Sequence, residues 1–270
     1  MRSLFKLALL AACACLSTAT VAGPSIRVQA GDWGAASVQD IEAVLDSVAE
    51  VLLPDFPQHA SVRIVVRRTA GGPRVLADKT ADGAHQVLLD VRDARWDQFA
   101  YQFSHELCHI VSNYDHREIA DASALRPHQW FEETLCEMVS LVTLDRLASA
   151  WQRSAPHSGW ESYAPAFRRY ADRLRQAGHR RLSTSFAAWY RANGTDLERD
   201  PYLRDRNEFA ASAMLELFQS TPDSLRAIGY LNLAAPSRER FADYLAAWYD
   251  CCPEAHRPLV QRLMALFAAA

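Results

Sequence analysis

One stretch restricts the fold of this chain more than any other: His105-Glu106-Leu107-Cys108-His109, an H-E-x-x-H pattern. Residues i and i+4 of a helix lie about 40° apart around the axis and roughly 6 Å apart along it. Two imidazoles so placed reach one ion with Zn–N bonds of about 2.0–2.1 Å. The pattern therefore calls for a helix at 105–109 and for a second element that delivers a third ligand to the same point. Glu106 follows the first histidine and projects to the side of the pair, where a metal-bound water would sit. The bland alternative is an amphipathic helix with ordinary core or surface histidines. The apolar flanks, and the acidic segment downstream, argue against it.

That segment is Trp130-Phe131-Glu132-Glu133-Thr134-Leu135-Cys136-Glu137. Glu132 and Glu133 are adjacent, so on a helix they point about 100° apart and one of them faces the ion. Glu133 shares a face with Trp130 and Glu137 and is the preferred ligand. Glu132, on the face of Leu135, Cys136 and Val139, is its rival. Glu137 is placed one turn on to accept the free N–H of a ligating histidine and fix its tautomer. Its alternative is a solvated helix charge.

The flanking chain sets the context. Arg2 and Lys6 precede an apolar run from Leu7 to Leu16, and Ala19-Thr20-Val21-Ala22-Gly23 is a small-residue cleavage site, so residues 1–22 read as a signal peptide. Export to a periplasm or secretion follows. A lipid anchor at Cys13, in Leu10-Ala11-Ala12-Cys13, is the secondary reading, because the run before it is short. No later stretch is apolar enough to span a bilayer. A formal charge of −3, with both signs mixed, gives no reason to expect nucleic acid or an anionic membrane as partner.

Apolar residues at Val38, Ile41, Val44, Leu45, Val48 and Leu52 predict a helix ending before Pro54. Ser61–Arg67 and His85–Val91 read as strands, with a turn at Ala70-Gly71-Gly72-Pro73 between them. Trp96–Val111 is the motif helix, and Pro127–Leu147 contains the acidic one. After Arg146 the chain turns to segments rich in Ala, Leu, Arg and aromatics, which suit helices. Arg168-Arg169 and Arg180-Arg181 read there as solvated helix faces and ends, and Asn193-Gly194 as a turn. The expected class is α+β: a small sheet and two site helices over 23–147, then an all-helical part over 148–270.

The combination of H-E-x-x-H with Trp130-Phe131-Glu132-Glu133-Thr134-Leu135-Cys136 resembles the gluzincin metalloproteases, the thermolysin-like and peptidase-MA-like group. The resemblance is specific over about 97–145. It implies a zincin-like fold, Zn²⁺ held by His105, His109 and Glu133, and Glu106 as general base. Thr134 stands where the group usually has glycine. A metzincin likeness fails, since Ser112 and Asp115 occupy the required Gly and His positions and His116 comes one place late. Members of the group often carry a later tyrosine or histidine that stabilises the tetrahedral intermediate. In that register this chain has Asp205, so Tyr202, about one turn earlier, is the candidate. No Gly-Ala-Met-Glu-Asn-like aminopeptidase signature precedes the motif.

The expected function is that of an exported zinc metallopeptidase acting on a peptide or protein substrate, with Glu106 moving the proton. Analogy with zincin edge strands gives the strand near Val87–Val91 the task of pairing with extended substrate. The competing reading is a zinc-binding but catalytically silent domain used for binding or assembly, and hydrolysis of a non-peptide bond is a third. Cys108 and Cys136 lie three residues after a proposed ligand each, where two ligand helices must meet. They are either a disulfide or two buried thiols.

Overall fold

A computed structural model describes residues 23–116, 126–181, 184–221, 223–234 and 240–269. The signal-peptide and lipid-anchor expectations fall on residues 1–22, outside the described residues.

The order of elements is β1 (Ser25–Val28), α1 (Val38–Leu52), β2 (Arg63–Arg68), β3 (Arg74–Val75), β4 (His85–Leu89), α2 (Trp96–Val111) and α3 (Gln129–Arg153). The helices α4 (Ala164–Arg175), α5 (Phe186–Arg199), α6 (Arg204–Gln219), α7 (Phe241–Cys251) and α8 (Arg257–Ala268) follow. The class is α+β, with a small mixed sheet and helices around it. Among the described residues no helix is long and apolar enough to cross a membrane.

The sheet runs β1-β2-β4-β3. β1 and β4 flank β2 in parallel, and β3 pairs antiparallel with β4 through Arg74↔Leu88 and Val75↔Val87. The β-branched run of β2 and the alternating burial of β4 follow from the pleat, which sends successive side chains to opposite faces. β1 and β3, with only four and two residues, carry no alternation long enough to notice. This corrects the substrate-strand expectation: β4 is an inner strand, and the edge beyond it belongs to β3.

α1 buries Ile41, Val44, Leu45, Val48 and Leu52, the stripe its periodicity required, and Ser37 caps it by accepting from the Asp40 N–H at 3.0 Å. α3 is different. Buried side chains lie all round its 25 residues, which is how a helix behaves at the centre of a large core. Helices from both halves of the chain, α1, α2, α4 and α6, pack on it, and the buried apolar residues form one contiguous cluster. The helix runs through position 147 to Arg153.

Such burial makes an unpaired polar group on α3 costly, and most find a partner, although Nε1 of Trp151 has none among the described residues. Thr134, Ser140 and Thr143 donate back to the carbonyls of Trp130, Cys136 and Val139, at 2.8, 2.9 and 2.8 Å. Glu132 and Glu137 need stronger partners, and these build the site described below.

Two local expectations are corrected. Asn193-Gly194 lies inside α5: Asn193 donates to the Trp189 carbonyl at 2.8 Å, and a Cβ on Gly194 would stand 3.1 Å from the Tyr190 ring. Glycine there permits helix–ring contact rather than a turn. Arg180 is buried with its side chain fully covered, because two carboxylates receive it.

Candidate metal centre

α2 presents His105 and His109 one turn apart, their ring centroids 5.0 Å from each other. α3 crosses opposite and places Glu133 between them. Its Oε2 lies 3.2 Å from Nε2 of His105 and 3.5 Å from Nε2 of His109. Donor atoms of these three residues all lie within 4.8 Å of one another, and the group could hold a metal ion. Burial disfavours charge on both imidazoles, but the carboxylates around them raise both above the usual histidine range. Glu133 is held well below the carboxylate range by the same histidines, against its own burial. Protons occupy the atoms a cation would use, so the two compete.

Glu132, the rival ligand, takes another role. Its Oε1 lies 2.7 Å from Nδ1 of His109. A carboxylate only accepts, so Nδ1 carries the proton and Nε2 is the atom that faces Glu133. Oε2 of Glu132 accepts from Nδ2 of Asn232 at 2.8 Å. The same amide donates to the Ser112 carbonyl at 2.9 Å, and its oxygen accepts from the Tyr244 hydroxyl at 2.9 Å. Asn232 sits at φ 61°, a left-handed backbone that asparagine tolerates well. A residue 100 positions downstream thus orients the carboxylate that orients a histidine. The Asn232→Gly variant keeps the backbone geometry and deletes the amide. Its affinity for a divalent ion is expected to fall about 10–100-fold, measured by competition with a chromophoric chelator. Unchanged affinity would exclude a positioning role for Asn232.

Glu137 stands 3.9 Å from Nδ1 of His105, beyond hydrogen-bond reach. It is buried, and its carboxylate is taken by the Tyr101 hydroxyl and by Arg180. The expected bond to His105 is therefore replaced by an ion pair with a residue from the helical half. Arg180 also meets Glu208 Oε2 at 3.0 Å, and Arg204 and His179 complete that carboxylate at 2.7 and 2.6 Å. None of Arg180, Glu208 and Asn232 belongs to a motif. Only the pairing needs of buried carboxylates on α3 point to them, and the sequence does not name the partners.

A cleft of about 320 Å³ opens over the group. One wall is Pro73, Arg74 and Val75, the edge of β3. Glu106 is buried on the floor, and the backbone N–H of Val75 bonds its carboxylate. Burial, foremost, lifts the Glu106 carboxyl above its ordinary range, although both histidines pull it down. Tyr202 is on the far wall and exposed; its hydroxyl oxygen accepts from Nε2 of Gln129 at 2.8 Å. Asp205 is not among the residues that line the cleft.

Cys108 and Cys136 meet where α2 and α3 cross. Both are free thiols, fully buried, and they share a hydrogen bond. Burial, with Cys108 beside it, pushes the Cys136 thiol well above the usual range, as befits a small apolar residue rather than a reactive one. The disulfide alternative is thus corrected to a thiol pair. Compared with known proteins, the chain matches no family model and no curated sequence significantly.

Proposed function

We propose that this chain is a zinc-dependent metallopeptidase. The observation that carries the reading is the convergence of His105 Nε2, His109 Nε2 and Glu133 Oε2 beneath a cleft that also contains Glu106. Two ligand atoms on a tetrahedral ion with bonds near 2.05 Å stand about 3.3 Å apart, and the separations to Glu133 Oε2 are 3.2 and 3.5 Å. The donor set, two imidazoles and one carboxylate, is the one catalytic zinc sites use when a fourth position stays open. A zinc ion held there by His105, His109 and Glu133 would supply Lewis acidity, to polarise a scissile carbonyl and acidify water.

The chain's own residues do the rest. Glu106 is held by the Val75 N–H with its carboxylate at the cleft, so it takes the proton of the attacking water and delivers it to the leaving amine. The ladder bond from Leu76 N–H to the Gln86 carbonyl, at 2.8 Å, turns Leu76 inward. By alternation the backbone of Val75 faces away from the sheet. Its carbonyl is then positioned to accept from the backbone of an extended substrate laid along β3. Because Gln129 donates to the Tyr202 hydroxyl oxygen, the phenolic proton is left for another acceptor. Tyr202 is assigned the developing oxyanion on that ground.

Metal analysis of the purified protein should find about one zinc per chain. Glu133→Ala should abolish retention, whereas Glu132→Ala, which only frees His109 to turn, should weaken it about 10–100-fold. Loss of the metal by Glu132→Ala with full retention by Glu133→Ala would reverse the ligand assignment. Failure of the zinc-loaded protein to cleave any member of a mixed peptide pool, or cleavage that persists unchanged when a chelator strips the metal, would remove the zinc-peptidase reading.

A further inference from the structure

We propose that the substrate of this cleft is an acidic peptide, and that Arg126 receives one of its carboxylate side chains; the inference rests on the peptidase reading above. Arg126 lines the cleft and is half-buried. One of its guanidinium nitrogens donates to the Tyr114 carbonyl at 2.7 Å, and the group lies over the Tyr114 ring, 5.7 Å from its centroid. The Tyr114 hydroxyl is in turn tied to the Leu76 carbonyl at 2.7 Å, beside the edge strand. The guanidinium is therefore held in place, yet among the described residues no carboxylate pairs with it. A guanidinium has five N–H donors in a planar fork that matches a carboxylate. Holding such a charge half out of water without a counter-ion costs free energy, and an incoming anion removes that cost.

Charge accounting around the cleft points the same way. Four carboxylates line it, at 106, 133, 137 and 208, together with Arg74, Arg126 and Arg204, while Arg180 pairs with two of the carboxylates from behind. Arg204 is committed to Glu208, but among the described residues Arg74 bonds only the Gly71 carbonyl, at 3.1 Å. Glu132 stands behind His109 as Arg180 stands behind Glu137, so four guanidinium groups meet five carboxylates, and a divalent ion at the histidines would leave one positive charge in excess. The chain as a whole carries −3. A concave positive site on a negative surface concentrates anions where the reacting groups are.

The test uses the zinc-loaded full chain and quenched-fluorescent peptides with Asp or Glu flanking the scissile bond. Matched analogues carry Asn or Gln there, each with a free and an amidated C-terminus. The acidic peptide should exceed its amide analogue in kcat/KM by about 10–100-fold at low salt, and the ratio should shrink as ionic strength rises. Arg126→Gln should collapse the ratio toward one, and Arg126→Lys should keep part of it. Equal cleavage of acidic and amide peptides by the unaltered protein would overturn the proposal and leave the peptidase reading standing. A preference that follows the free C-terminus alone would overturn it as well. Should no peptide be cut, the peptidase reading itself fails. Fluorescence anisotropy of the same peptides on zinc-loaded Glu106→Gln then decides the charge preference: tighter binding of the acidic peptide supports it, and equal binding overturns it.

Discussion

Replacing Glu106 with glutamine is expected to lower kcat by about 10²–10⁴-fold while metal content stays at the level of the unaltered protein. The carboxamide has nearly the size of the carboxylate, and its oxygen still accepts the Val75 N–H that holds the side chain in place. Proton affinity is what disappears. Glu106 lies outside the trio that converges on one point, so the substitution separates chemistry from binding. A loss confined to the reaction step appears in kcat with KM little changed. Parallel measurement of turnover and of zinc by atomic emission checks both halves. Full activity in the variant would exclude Glu106 as the base. Loss of the metal would instead make it a ligand and redraw the site.

What the sequence makes legible here depends on how local the physics is. The motif helix is visible from Trp96 to Val111 because an i, i+4 histidine pair and an apolar stripe both follow the helical period. Glu133 emerges over Glu132 from face geometry alone, since it shares a side with Trp130 and Glu137. The extent of α3 is not legible: a helix buried all round has no polar face to mark where it stops. β1 and β3 are too short for a period-2 pattern, and so the strand that lines the cleft goes unseen while its inner neighbour β4 is noticed. Arg180 looks like any basic pair on a helical segment. Its burial follows from carboxylates 43 and 28 residues away, on α3 and α6. Asn232 illustrates the same limit, because its partner on α3 is separated from it by 100 residues. Residues that form the candidate metal group carry local spacing rules, whereas those that hold them in place answer to long-range pairing.

Arg180 accordingly carries the largest expected effect on stability. Its side chain is fully covered, and it joins Glu137 on α3 to Glu208 on α6, both of which are also almost wholly covered. Arg180→Met retains the apolar stem and leaves the two carboxylates facing one another without their common counter-ion. Breaking a buried pair from one side costs about 3–5 kcal/mol, which for a chain of this size lowers the melting temperature by roughly 6–20 °C. The pH dependence distinguishes lost charge pairing from lost packing. Burial works to raise the Glu208 carboxyl, but Arg204, Arg180 and His179 bring it below the ordinary range. A carboxyl depressed in the native state adds stability that is fully present above its unfolded pKa, about 4.3. That contribution is lost as pH falls through the native value. The gap between the unaltered protein and Arg180→Met should therefore be widest near pH 7 and narrow in acid, where protonation relieves the repulsion in the variant. Urea denaturation at pH 7 and at pH 4 measures it, and a gap of equal size at both would assign Arg180 a packing role instead.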